Sequence, residues 1–250
     1  MNFFSLFKRK LIYSIKKKKL IDKDNFKSTS LDELFHHYGS DKANLFKISG
    51  KKGHGYSKFY ENKLEKFKNK KINILEIGSY AGASAAAFVK YFSDVKVFCL
   101  DINISNFIYK SKNIDVHGID IKDEIIVIDT LKKIYNLNQI NNFDIIIDDG
   151  SHNLSDILLG IKFFFRHLKK EGIFIIEDFK HPNYYEYNRN IDHILIDEIL
   201  KNINEKKFFS SDIITEDFQS SLFESVEKIE TFKGNLSDSD ICFLSKKWII

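Results

Sequence analysis

The chain has 250 residues, 43% of them apolar and 30% charged, with 24 Phe. That is ample material for the core of one α/β domain, and it excludes a disordered chain or a small disulfide-stapled one. The net charge of +4 is an uneven average: residues 1 to 30 carry nine Lys or Arg against Asp22 and Asp24, so the rest of the chain sums to −3. Because the basic character is local, the domain is not read as a nucleic-acid binder. Cys99 and Cys242 lie far apart in apolar runs, as buried thiols of a reducing, cytoplasmic compartment rather than zinc ligands or a disulfide. No apolar run approaches the roughly 20 residues a membrane span needs.

Residues 1 to 30 read as a first unit. MNFFSLFKRKLIYSIKKKK sets Phe3, Phe4, Phe7, Leu11, Ile12 and Ile15 among lysines at the spacing of a helix with a basic face. Such a segment either makes peripheral contact with an anionic membrane surface, or is a solvated leader, or packs on the domain as an ordinary helix. It lacks the small-residue cleavage site of a secretory signal.

Residues 31 to 250 read as the second unit. It opens with a helical preface over residues 31 to 70: a helix in LDELFHHYG, a loop rich in Gly and Lys, and a second helix in YSKFYENKLEKFK. From Lys71 strands and helices alternate. INILEIG is a strand, AGASAAAFVKYF a helix of small residues, VKVFCLD a strand and IDVHGID a shorter one. DEIIVIDTLKKIY is a helix, FDIIIDD a strand, LSDILLGIKFFFRHL a helix and GIFIIED a strand. A helix in IDHILIDEILKNI and strands in SVEKIETFKG and DICFLSKK complete the chain. The runs INILEI, FDIIID and GIFIIE are almost wholly apolar, which marks strands buried on both faces of a parallel sheet. Alternation with helices predicts a doubly wound, mostly parallel seven-stranded sheet with a helical N-terminal extension. In such sheets ligands bind at the carboxyl ends of the strands, and there the ionisable residues gather.

The first strand ends in LEIGSYAGAS. Gly78 permits a tight turn, and Gly82 with Ala83 lets the next helix approach cofactor and sheet. Asp101, ending the second strand, suits two ribose hydroxyls, and Asp120 suits an amino group of a base. The dinucleotide fingerprint G-x-G-x-x-G is not met, since Tyr80 stands where the second glycine belongs. Glu76 also opposes a diphosphate and favours a cationic ligand such as S-adenosylmethionine (SAM). Asp149 ends the fourth strand, and Glu177 and Asp178 end the fifth. Neighbouring strands lie about 4.8 Å apart, so the three carboxylates converge, and a hard divalent cation such as Mg²⁺ relieves their repulsion. His152, three residues past Asp149, suits a general base. Tyr56 and Tyr60 are read as packing aromatics. His36, His37, His54 and His181 are read as exposed loop residues, and His117, His167 and His193 as structural. The run HPNYYEYN after Asp178 is either a sugar-stacking wall or an ordinary loop.

LEIGSYAGAS with Asp101 and Asp120 downstream resembles the class I SAM-dependent methyltransferases. HHYGSDK, HGYSKFYE, FDIIIDDGSHN and GIFIIEDF, in that order, resemble the macrocin and mycinamicin O-methyltransferase group, which methylates sugar hydroxyls. The resemblance covers roughly residues 34 to 180 and implies a Rossmann-like methyltransferase fold. It implies SAM held around Glu76, Gly78, Ser79, Tyr80, Gly82, Ser84, Asp101 and Asp120, and a metal held by Asp149, Glu177 and Asp178. It also implies His152 as the base, a sugar or glycosylated small molecule as acceptor, and a homo-oligomer. Alternatives are a catechol-type or cephalosporin hydroxylase-like enzyme on the same fold, or a catalytically silent SAM-binding scaffold. A plain NAD-dependent dehydrogenase is disfavoured by Glu76 and Tyr80.

Overall fold

The computed structural model describes residues 3–181 and 194–247. Seven strands form one sheet: β1 (Lys71–Ile77), β2 (Asp94–Asp101), β3 (Ile114–Gly118), β4 (Phe143–Asp148), β5 (Leu168–Glu177), β6 (Val226–Lys233) and β7 (Asp240–Lys246). Their order is β6-β7-β5-β4-β1-β2-β3. The five strands from β5 to β3 are parallel, and β7 and β6 close the edge as an antiparallel hairpin. Strand order reverses at β1 and β4, so the loops after these two strands diverge and leave a crevice between them.

The strands are buried because helices cover both faces. On one face α5 (Glu124–Asn138), α6 (Leu154–Phe164), α7 (Ile196–Glu205) and α8 (Glu216–Ser225) pack on Leu75, Ile77, Ile146, Phe174 and Ile176. On the other, α2 (Leu31–Tyr38), α3 (Ser57–Leu64) and α4 (Ala83–Tyr91) pack on Ile72, Ile74, Ile145, Ile147, Ile173 and Ile175. The two-residue period of a strand thus assigns Glu76 and Glu177 to the second face, and Asp148 to the first. Ala85, Ala86 and Ala87 are fully buried; their short side chains let α4 lie close to the sheet. Rings bind the preface to it: Phe35 stands edge-on to Tyr60 and Phe88 at 5.9 and 5.6 Å, and Tyr60 to Phe243 at 6.0 Å.

Local chemistry sets the helix ends. The Ser30 hydroxyl accepts the Glu33 N–H at 3.4 Å, and Gly39 ends α2 in the left-handed region at φ 81°. The Asp123 carboxylate accepts the Ile126 N–H at 3.1 Å at the start of α5. Thr215 does the same for Phe218 at 3.4 Å, capping α8, a helix the apolar pattern does not predict.

Residues 1 to 30 do not stand apart from the domain. Helix α1 (Phe3–Ile15) lies against the turn Ile104–Asn106. Lys19 and Leu20 pair in parallel with Tyr109 and Lys110, and Ile21 is 1% exposed within the core. Among the described residues no helix is long and apolar enough to cross a membrane. The tyrosine-rich run lies almost wholly outside the described residues, as does His193.

His167 has a structural role and a pH consequence. Its Nδ1 lies 2.6 Å from the Tyr135 hydroxyl. Burial, and then the Arg166 and Lys246 charges, lower its pKa to about 4. The unfolded chain therefore binds this proton more readily between about pH 6.5 and 4. Stability from neutral His167 is complete above that window and is lost as pH falls through it. Thermal unfolding is expected to show a melting temperature falling from pH 7 toward pH 5, with a shallower fall in His167→Gln.

Candidate active site

The loops that follow β1 and β4 are stitched together. The Asp149 N–H donates to the Ile77 carbonyl at 2.9 Å. Gly78 has φ 83°, and a Cβ there would lie 1.9 Å from the Asp149 carbonyl oxygen. Only glycine permits that approach, so Gly78 holds the two loops in contact as well as turning the chain. Gly82 has a different reason from the expected one: a Cβ on it would meet the Phe107 ring at 2.3 Å. It seats α4 on an aromatic, and it lines neither of the two cavities beside the loop.

Those cavities flank the Gly78–Tyr80 turn. One, of about 450 Å³, is lined by Gly78, Tyr80, Leu100, Asp101, Ile102, Ile119, Asp120, Asp149 and neighbours. Its mixture of apolar walls and a few carboxylates is that of a small-molecule site. Asp101 Oδ2 accepts the Tyr80 N–H at 2.7 Å and Oδ1 the Asn103 N–H at 2.5 Å. This fixes the carboxylate while leaving lone pairs for hydroxyl donors. The other, of about 240 Å³, is lined by Lys42, Gly78, Ser79, Tyr80, Ser84 and Asp149 among others. Glu76 lies behind the loop, fully buried. One of its oxygens accepts the Ser84 hydroxyl and the other, Oε2, is buried without a partner. A lone buried carboxylate oxygen suits a cationic ligand group. A third cavity, of about 410 Å³, opens beside α2 at Phe26, Asp32, His36, His37 and Lys47. Its polar groups are engaged locally: Asp32 accepts from Asn44 N–H and Ser57, and His37 lies 3.1 Å from Asp24.

The strand-end carboxylates are held by the preface. Lys42, 2% exposed, places its ammonium between Asp149 Oδ2 and Glu177 Oε2, the latter at 2.6 Å. The Tyr60 hydroxyl donates to Glu177 Oε1. The Tyr56 hydroxyl donates to Asp178 Oδ1 at 2.5 Å, and His54 Nδ1 lies 3.3 Å from the same oxygen. Both oxygens of Glu177 are therefore taken, whereas Asp149 and Asp178 each have one oxygen pinned. The remaining two, Asp149 Oδ1 and Asp178 Oδ2, face His152 Nε2 at 3.9 and 3.8 Å. Among the described residues, Asp149, His152 and Asp178 are the group with ligand atoms close enough to hold one metal ion, all within 4.8 Å of one another. The expected set differs at one member: Glu177 lies outside the group, because Lys42 and Tyr60 occupy it.

Charge balance favours a further cation. Burial raises the pKa values of Glu76, Asp149 and Glu177, and the shared Lys42 opposes it only in part. Burial disfavours the Lys42 charge, but Asp149 and Glu177 outweigh it and keep the ammonium protonated. Burial also acts on Asp178, yet His54 and Tyr56 hold it below the usual carboxylate range. Asp148 faces the other way, toward α6, where a Cβ on Gly160 would stand 2.3 Å from its Oδ2. Burial pushes its pKa up to about 8, and its direction takes it away from the strand-end carboxylates. Tyr80, His152 and Asp178 have φ of 42°, 57° and 48°, a region costly for these residues that clusters at functional sites.

The residues missed in sequence are Lys42, His54, Tyr56 and Tyr60. Tyr56 and Tyr60 do pack, fully buried, but their hydroxyls also orient the acids. His54 is half-buried rather than an exposed loop residue, and Asp178 outweighs the cost of burial to raise its pKa to about 9. The signal for this role lies in HHYGSDK and HGYSKFYE, which hold all four residues.

No protein-family model matches the chain. It is 25% identical over 132 residues to mycinamicin VI 2''-O-methyltransferase of Micromonospora griseorubida, a stretch covering 50% of this chain and 31% of that protein. Its fold matches the MycE methyltransferase of the mycinamycin pathway, solved with Mg, S-adenosylhomocysteine (SAH) and mycinamycin VI. The TM-score is 0.66 at 19% identity, over 88% of this chain and 55% of that one. A second MycE structure, with Mg and SAH, matches equally, at TM-score 0.66. The chain thus spans about a third of the length of the curated relative and about half of the solved one. The sheet is that of the Rossmann-like methyltransferase fold.

Removing Lys42 leaves uncompensated buried anions. Lys42→Met is expected to cost about 3–5 kcal/mol in urea unfolding, and adding Glu177→Gln to recover part of that loss.

Proposed function

We propose that the protein is a SAM-dependent, divalent-metal-assisted O-methyltransferase acting on a hydroxyl of a sugar or glycosylated small molecule, in bacterial surface-glycan biosynthesis. The observation that carries the reading is the pair of open oxygens, Asp149 Oδ1 and Asp178 Oδ2, facing His152 beside the cavity that holds Asp101. The likeness to mycinamicin VI 2''-O-methyltransferase supports it. The surroundings proposed with it are the cytoplasm, peripheral membrane contact through residues 1 to 30, and a homo-oligomer.

Bound SAM supplies an electrophilic methyl group, and a divalent cation supplies Lewis acidity toward the acceptor hydroxyl. The chain's own residues do the rest. Asp101 would accept the two ribose hydroxyls, with Leu100, Ile102 and Ile119 as apolar walls for the base and Asp120 at its amino group. Gly78, Ser79 and Tyr80 form the turn, and Ser84 the start of α4, along which the methionine end would lie, with Glu76 Oε2 as counter-charge behind it. Asp149 and Asp178 would hold the ion. Two carboxylates suit Mg²⁺, which keeps several waters and leaves positions for substrate oxygens. His152 accepts the acceptor's proton at Nε2, and its left-handed backbone aims the ring at the open oxygens. Alignment of acceptor oxygen and methyl carbon supplies a further large factor.

Calorimetry separates the parts of this reading. SAH is expected to bind and NAD not to bind, and Mg²⁺ to bind wild type. Asp101→Ala should weaken SAH by roughly 10–100-fold, the worth of charged hydrogen bonds, with Mg²⁺ binding intact. Asp149→Ala should abolish Mg²⁺ binding. His152→Ala should retain both ligands and lose roughly 10²–10⁴ in kcat on a sugar acceptor. Loss of Mg²⁺ binding in His152→Ala would make the imidazole a ligand instead, and NAD in place of SAH would end the proposal.

A further inference from the structure

Helix α1 carries two faces with different jobs. The inner one is fixed to the domain. Arg9 donates to the Ile102 carbonyl at 2.7 Å, and Lys16 Nζ to the Ser105 and Asn106 carbonyls at 2.9 and 3.3 Å. The Tyr13 ring meets Phe107 edge-on at 6.3 Å. The strand pairing of Lys19 and Leu20 with Tyr109 and Lys110 anchors the segment just after it. The segment it grips, Ile102 to Phe107, follows Asp101, and Ile102 itself lines the larger cavity.

The outer face is apolar and exposed. Phe7, Leu11 and Ile15 recur every four residues, one stripe along the helix, and are 61%, 53% and 77% exposed. A globular domain with its own core has no folding use for that stripe. Lys8, Lys10, Lys17 and Lys19 are exposed along the same segment. Apolar residues bordered by lysines match the boundary of an anionic bilayer, where rings and aliphatic chains enter below the headgroups and ammonium groups remain among the phosphates. A second copy of the chain fits less well: a two-fold contact would bring this lysine set against itself. The helix has 13 residues, too few to span a bilayer, so it lies in the surface.

We propose that α1 seats the protein on an anionic membrane surface through Phe7, Leu11 and Ile15, with the cavity rim at Ile102 about one helix diameter, roughly 10 Å, from the lipid. The seat presents the site to acceptors carried on the membrane. It does not depend on the reaction, since the lipid contact involves none of the residues assigned to it.

The test is co-sedimentation of the full chain with vesicles of phosphatidylcholine, with and without phosphatidylglycerol, alongside light scattering of the protein alone. Binding to the anionic vesicles is expected to exceed binding to neutral ones by roughly tenfold or more and to weaken at about 1 M salt, where screening is nearly complete. Phe7→Ser with Leu11→Ser should lower it by roughly tenfold or more without changing the melting temperature. Equal binding to both vesicles, no binding, or insensitivity to the double substitution overturns the proposal. So does a wild-type dimer that the double substitution splits while vesicles stay unbound, which would make the face a contact between copies. Neither cofactor nor metal enters the assay, so its failure leaves the methyl-transfer reading standing.

Discussion

The ammonium of Lys42, buried between Asp149 and Glu177, is the constraint from which the rest of the site follows. Parallel strands β4 and β5 deliver their terminal acids to one place because they are neighbours in register, with Asp148 opposite Ile176. Acids brought so close and so deep repel one another and lose hydration. One lysine from the preface offsets part of that cost. Tyr60, Tyr56 and His54 bind the remaining inward oxygens. The preface is therefore the inner wall of the site as well as a covering layer, and the sheet alone could not hold this geometry.

What the preface leaves undone is as informative as what it does. Each of Asp149 and Asp178 has one oxygen held from behind and one turned forward to His152. A carboxylate held at one oxygen keeps the other in a fixed direction, the preorganisation a metal site and a positioned base require. Glu177, held at both, serves as ballast for Lys42. The strand period decides this division: Glu177 follows Ile173 and Ile175 on the preface face, whereas Asp148 points to α6.

The strands of the sheet are legible in sequence because runs such as INILEI and FDIIID have no other stable use than burial on two faces. The gathering of Asp101, Asp149, His152 and Asp178 at the strand ends is legible because those strands are, and in such sheets that is where ligands are sought. Other features depend on contacts no local pattern records. Lys42 meets Asp149 across 107 residues of chain, and one lysine among several in a Gly- and Lys-rich loop carries no local mark of burial. Gly82 reads as a cofactor glycine until Phe107 is found against it. Helix α8 escapes because its buried residues include a glutamine, Gln219, whose amide is bonded to the Phe209 backbone and the Ile214 carbonyl. Residues 1 to 30 read as a separate unit because their lysines hide the buried Ile21.

The proposed site requires one divalent ion between the forward oxygens of Asp149 and Asp178, with Lys42 in its place behind them. A crystal structure with Mn²⁺ and SAH, phased on the anomalous signal of the ion, tests it directly. One anomalous peak is expected about 2.1 Å from Asp149 Oδ1 and Asp178 Oδ2, with Glu177 still bonded to Lys42 and Tyr60. A peak ligated by Glu177 with Lys42 swung away, or no peak at the strand ends, would contradict it.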